Sequence, residues 1–167
     1  MRKYRFVLAI AVACFSALPT QLLARHSAEI SGYSPGTIVV KTHERRLYFV
    51  TGNGTAIKYP VGVGKAGMRW RGQAYIASKH IRPAWSPPEM IRREKPGIAD
   101  VFPSGSPRNP MGAAALVLNR GEYAIHGTNA PGSIGGFVSH GCIRMYNSDI
   151  MDLYNRVSVG TQVVVLP

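Results

Sequence analysis

Thr37-Ile38-Val39-Val40-Lys41, followed by the polar Thr42-His43-Glu44-Arg45 and by Arg46-Leu47-Tyr48-Phe49-Val50, marks this chain as a β protein. The two outer runs are β-branched and aromatic, residues that fit a pleated, half-buried surface, and the polar segment between them suits a hairpin loop. Gly52-Asn53-Gly54 then offers residues that accept positive φ, and leads into Ala56-Ile57-Lys58-Tyr59-Pro60-Val61-Gly62-Val63. Three strands in a meander are the expectation.

Downstream, residues 64–72 are glycine-rich and basic, and residues 73–79 alternate well enough for a further strand. Residues 81–110 hold seven prolines and the cluster Trp85-Ser86-Pro87-Pro88. Proline at that density forbids long regular elements, so a long structured loop is predicted, and such loops in compact domains tend to carry function. Residues 113–118 and 123–126 predict a second hairpin across Asn119-Arg120-Gly121-Glu122. Asn147-Ser148-Asp149 offers cap side chains and a carboxylate for the helix dipole, and Ile150, Leu153, Tyr154 and Val157 follow at i, i+3, i+4 and i+7. Gly160-Thr161 ends that helix, and residues 162–166 predict a closing strand. The expected fold class is mostly β, with one short amphipathic helix after the cysteine segment.

Upstream, residues 25–36 are polar and close on Ser34-Pro35-Gly36, which predicts a linker. Arg2, Lys3 and Arg5 precede an apolar run from Phe6 to Leu18. That run is shorter than the roughly 20 residues needed to cross a bilayer. Residues 1–24 therefore read as a signal peptide cut after Ala24, and the product as exported to the periplasm or cell wall. An uncleaved anchor is the alternative; a lipid-modified Cys14 is disfavoured because Ala11-Val12-Ala13 lacks a leucine-like residue. Residues 37–167 have the length of one domain, enough to bury a proper core without disulfides.

The chain has 20 Lys and Arg against 8 Asp and Glu, a formal net charge of +12, and stays strongly positive without Arg2, Lys3 and Arg5. For an exported protein this favours wall polymer, carboxylate-bearing peptides or lipid head groups. Nucleic acid is not an expected partner, because no Lys/Arg run with interleaved aromatics occurs.

Without the leader, one cysteine remains, Cys142 in Ser139-His140-Gly141-Cys142-Ile143-Arg144. A single thiol in an oxidising compartment can form no internal disulfide, which points to a nucleophile. At an ordinary pKa of about 8.5 it needs a histidine or a field of N–H groups to ionise near neutrality. His126, at the end of a predicted strand in Ile125-His126-Gly127-Thr128-Asn129, and His140 are the candidates. Gly141 lets backbone approach a substrate, and the N–H groups of Gly141 and Cys142 are candidates for an oxyanion hole.

These residues resemble the L,D-transpeptidase catalytic domain, also called the YkuD domain. The resemblance rests on His126 followed, after a loop, by Ser139-His140-Gly141-Cys142, Ile143 and Arg144. It is supported by Asn109-Pro110-Met111-Gly112-Ala113, Trp85-Ser86-Pro87-Pro88 and Gly160-Thr161-Gln162-Val163, and spans roughly residues 37–166. It implies a β-sandwich-like fold over a catalytic domain at residues 37–167. Cys142 then attacks the amide between the third and fourth residues of a peptidoglycan stem tetrapeptide, leaving a thioester that an amine resolves. The acceptor is another stem peptide, giving a cross-link, an outer-membrane protein, giving an anchor, or water, giving a carboxypeptidase.

By the same resemblance His126 is the base, oriented by the Gly127 carbonyl in place of a triad carboxylate, since no acidic residue accompanies either motif. His140 and Gly141 provide architecture and oxyanion support. Arg144, Ser139 and Trp85 are the expected substrate-facing residues, with Arg144 alternatively pairing with Asp149 or Asp152. No metal or cofactor is called for, although His126, His140 and Cys142 are three potential zinc ligands lacking an evident fourth. A sortase-like cysteine transpeptidase is the second enzyme reading, weakened because its Thr-Leu-x-Thr-Cys-like strand is missing. A basic, non-catalytic peptidoglycan-binding module is the non-enzymatic alternative.

Overall fold

Ile38-Val39-Val40 is apolar without alternation because both faces of its strand are buried. In the computed structural model, which describes residues 27–167, Ile38, Val39 and Val40 are all fully buried. The signal peptide expected over residues 1–24 lies outside the described residues. Ile38–Lys41 is β2, and its Ile38 and Val40 enter the main core with Leu47 and Phe49, while Val39 packs on the opposite face with Tyr48, Val50 and Ala56.

The expected meander is present. β2 pairs antiparallel with β3 (Arg46–Gly52), which pairs antiparallel with β4 (Thr55–Pro60). The linker expectation for residues 25–36 needs correction. Ser27–Glu29 forms an edge strand, β1, on β4, and Ile30 is buried with Tyr33 against Val39 and Tyr48. A second apolar face on the meander has to be covered, and this short segment covers it. Three paired residues are too few to leave an alternation in the sequence.

β5 (Val63–Gly64) leads to β6 (Gly72–Ile81), which crosses the molecule. Its first half pairs with the closing strand β11 (Gln162–Leu166), its second half with β7 (Ala114–Leu118), and the register shifts between Ile76 and Ser78. The sheet folds over on that strand, which makes the architecture sandwich-like: the order is β1-β4-β3-β2-β11-β6-β7, continuing into β8 (Ala124–His126) and β10 (Ile143–Arg144). Residues from both halves, including Leu47, Tyr59, Leu116, Ile125 and Met145, share one core.

The predicted helix is α2 (Asn147–Arg156), with Ile150 and Leu153 buried and Val157 just beyond its end. Lys79 Nζ donates to the Tyr154 carbonyl at 2.7 Å, placing a cation at the helix C-terminus where the dipole favours one. The proline-rich loop also contains a six-residue helix, α1 (Glu89–Glu94), which the proline count did not reveal. β9 (Phe137–Ser139) pairs parallel with β5 and brings the cysteine segment beside residues 63–65.

Candidate active site

β8 and β10 run parallel, with Arg144 opposite His126 and Ile143 opposite Ile125. Side chains two residues apart on a strand share a face, so Cys142, two residues before Arg144, projects to the side that carries His126. Strand spacing and rise place the Cα atoms of Cys142 and His126 on the order of 8 Å apart. A thiol and an imidazole at the ends of adjacent strands can converge on one small substrate group.

His126 is 4% exposed, and its Nδ1 contacts the Gly127 carbonyl at 2.7 Å. A carbonyl only accepts, so Nδ1 carries the proton and Nε2 keeps its lone pair. Burial, reinforced by the Arg144 cation, lowers the His126 pKa from 6.5 to about 4, while hydrogen bonding to the Gly127 and Pro110 carbonyls pulls it back only partly. The ring is neutral at pH 7. Gly127 sits in this position because nothing larger fits: a Cβ there would lie 2.3 Å from Asn147 Oδ1 and 2.8 Å from Ala113 N. Asn147 was expected to cap α2, but the residue at the cap position is Tyr146, which makes no side-chain cap bond. Asn147 instead accepts from the N–H groups of Ala113 and Thr128 and donates to the Thr128 carbonyl, each at 3.0 Å. It clamps the strand ends that carry the histidine.

The cysteine turn is held from inside. Ser139, 1% exposed, accepts from the Gly141 N–H at 3.1 Å and donates to the Cys142 carbonyl at 2.6 Å. Ser139 was expected to face substrate and the Gly141 N–H to line an oxyanion hole. The two groups satisfy each other instead, since a buried turn must pair its own polar atoms. Gly141 has φ +125°, and a Cβ on it would lie 2.4 Å from Tyr123 Cε1. Its carbonyl accepts from Trp70 Nε1 at 3.0 Å, and the indole stacks on Tyr123 with centroids 5.5 Å apart and planes 4° from parallel.

The Cys142 thiol is half-buried and points its hydrogen toward the Glu122 carbonyl at 3.8 Å. Burial pushes its pKa up, and the Ala124 N–H and the Arg144 charge work in the opposite direction. Its hydrogen-bond contacts among the described residues are to Glu122 in the β7–β8 turn and to Ala124 at the start of β8. Burial disfavours the charged form of each group and so works against a resting thiolate–imidazolium ion pair. Arg144 acts electrostatically on both groups, and its Nε is buried without a hydrogen-bond partner among the described residues. Asp152, one of the acids considered for it, is instead engaged by Arg156 and by the Tyr59 hydroxyl.

His140 turns away from Cys142. Its Nε2 donates to Glu94 Oε2 at 2.7 Å, and Lys65 Nζ lies 3.4 Å from Glu94 Oε1, so α1 of the proline-rich loop is tied to the cysteine turn. The absence of an acid near either motif in the sequence is thus overturned in space: Glu94 arrives from 46 residues upstream. Trp85 contacts Phe102 inside the proline-rich loop, their rings 5.5 Å apart. The indole against the cysteine turn is Trp70. Asn109, 3% exposed, gathers the loop's base by donating to the carbonyls of Pro83, Phe102 and Pro103. Glu94, Tyr123 and Asn147 carry no sequence signal for their places here.

A sequence profile of the family described as "L,D-transpeptidase catalytic domain" matches residues 35–165. The chain belongs to this family. The L,D-transpeptidase domain is 40% identical over 134 residues to "Probable L,D-transpeptidase YbiS" of Escherichia coli, a match covering 75% of this chain and 43% of that protein. It is 42% identical over 138 residues to "Probable L,D-transpeptidase ErfK/SrfK" of Salmonella typhimurium, covering 77% and 43%. The chain thus spans less than half the length of the curated relatives it matches. Among solved structures it resembles an L,D-transpeptidase from Mycobacterium smegmatis, with a TM-score of 0.60 at 22% identity over 78% of this chain and 58% of that one, a likeness of fold. A Brucella melitensis structure named "Probable carnitine operon oxidoreductase caia" is 40% identical over 84% of this chain and 92% of its own, with a TM-score of 0.56.

Proposed function

We propose that this domain is an exported L,D-transpeptidase acting on peptidoglycan stem tetrapeptides, with Cys142 as nucleophile and His126 as base. The observation that carries the reading is the pairing of β8 with β10. It sets the thiol on the same face as an imidazole whose Nδ1–H is held by the Gly127 carbonyl and whose Nε2 is free to take a proton. Because the thiol rests neutral, its S–H proton passes to Nε2 as the sulfur bonds to the carbonyl carbon between the third and fourth stem residues. The C–N bond then breaks, the proton returns to the departing D-alanine amine, and a thioester remains on Cys142. An acceptor amine attacks that thioester, loses its proton through His126 and regenerates the thiol. The Arg144 guanidinium, whose buried Nε has no hydrogen-bond partner among the described residues, is available to stabilise charge developing on the carbonyl oxygen.

The acceptor is a second stem peptide, a wall-attached outer-membrane protein or water. Incubating the protein with wall sacculi and weighing the released muropeptides distinguishes these outcomes. Cross-linked dimers or shortened stems from wild type and none from Cys142→Ala are expected. Unchanged muropeptides with folded wild-type protein, together with retained sacculus binding, would favour the binding module.

A further inference from the structure

A cavity of about 350 Å³ opens beside Trp70, lined by Thr42, Gly67, Arg69, Trp70, Arg71 and Pro167. Two of its six lining residues are arginines. Further cations flank it: Arg69 and Arg45 both lie over the Phe137 ring, at 5.1 and 5.0 Å, and Arg120 lies over Trp70 at 4.9 Å. None of these four arginines makes an ion pair among the described residues. The nearby Glu44 is engaged by Lys41 and by the Tyr48 hydroxyl, and Glu94 by Lys65 and His140. Like charges gathered on one surface cost free energy, and an anionic ligand offsets that cost.

The cavity is coupled to the chemistry through its own wall. Trp70 donates to the Gly141 carbonyl, the residue immediately before the nucleophile, so a ligand against the indole lies one side chain away from the cysteine turn. Guanidinium groups match carboxylates in a planar, two-bonded geometry. Uncharged sugar would gain only the weaker hydrogen bonds of a neutral acceptor from the arginines.

We propose that this arginine-lined cavity, beside the Trp70 side chain, is a subsite for a free carboxylate of the stem peptide, held by Arg69 and Arg71. The assignment rests on the transpeptidase reading, and its test is chosen to fail separately from it.

The experiment uses the full chain with Cys142→Ala, which binds without turnover, and follows tryptophan fluorescence during titration with stem tetrapeptide in free-acid and carboxyl-amidated forms. Arg69→Gln/Arg71→Gln should weaken binding of the free acid by about tenfold, the loss expected when a charge-assisted contact is removed. Amidation should weaken it similarly, and the double variant should no longer discriminate between the two peptides. Arg69→Lys/Arg71→Lys should recover part of the affinity, which a merely structural role would not predict. Equal affinities of both peptides for the parent, or an unchanged preference in the Gln variant, would overturn the subsite. So would a preference confined to a poly(glycerol phosphate) probe. In the Cys142-containing protein, D-alanine release with KM unaffected by the arginine substitutions would sink the subsite alone. Absence of D-alanine release alongside intact carboxylate discrimination would sink the catalytic reading and leave the subsite standing.

Discussion

Replacing Ser139 by Ala tests whether its hydroxyl builds the cysteine turn or meets substrate. The side chain is 1% exposed and makes two hydrogen bonds, accepting from Gly141 N–H and donating to the Cys142 carbonyl. Ser139→Ala leaves a buried N–H and a partly buried carbonyl without partners, each costing about 1–3 kcal/mol, and the removed oxygen leaves too little room for a replacement water. A total loss of about 2–4 kcal/mol is expected, because Cys142 is half-exposed and its carbonyl can recover some solvent. Urea denaturation monitored at 25 °C should show this as a lower midpoint with an unchanged slope. Steady-state D-alanine release should show a fall in kcat with little change in KM, since the nucleophile is displaced and the substrate surface is not. A variant with wild-type stability and a raised KM at intact kcat would refute this account and return Ser139 to the substrate-facing role read from the sequence.

Stability should also fall on acidification. The unfolded chain protonates His126 near pH 6.5 while the folded chain holds it neutral to about pH 4. The contribution is therefore complete above pH 6.5 and lost between pH 6.5 and 4, by up to about 3 kcal/mol, and urea midpoints of His126→Gln should be flatter across that window. Alkylation of Cys142 by iodoacetamide should keep rising with pH above neutrality, because burial holds the thiol protonated; a rate plateau from pH 5 to 8 would reveal a resting ion pair and contradict the geometry. A carbapenem should form one thioester adduct per chain, absent in Cys142→Ala and in Cys142→Ser, as read by intact-protein mass spectrometry; adduct on folded Cys142→Ala would exclude Cys142 as nucleophile. Glu94→Gln should lower kcat severalfold while leaving the urea midpoint little changed, since Glu94 and Lys65 are both partly exposed. An unchanged kcat would show that the tie between α1 and His140 does not position the turn.

The strands and the helix were legible because they follow from local chemistry. Ile38-Val39-Val40 and Leu47-Tyr48-Phe49-Val50 suit only a pleated surface, and Ile150, Leu153 and Val157 repeat at helical spacing. The proposed nucleophile and base were legible as residue types, in Ser139-His140-Gly141-Cys142 and Ile125-His126-Gly127. Their partners were not. Ser139 and Gly141 look like residues offered to substrate until the φ of Gly141 folds them onto each other. Trp85 and Trp70 are equivalent as letters, and only the path of residues 64–72 brings Trp70 to the Gly141 carbonyl while Trp85 packs on Phe102.

Asn147 carries the signature of a helix cap, yet contacts to Ala113 and Thr128 outcompete that role because two N–H groups flanking β7 and β8 need an acceptor. Glu94 reaches His140 across 46 residues, and the first strand pairs with β4 across a gap no periodicity marks. Strand propensity, helical spacing and a nucleophile's residue type reside in a few consecutive residues. Hydrogen-bond pairing and ion pairing depend instead on which distant segments share a boundary of the core, and that follows from the closure of the sheet on β6.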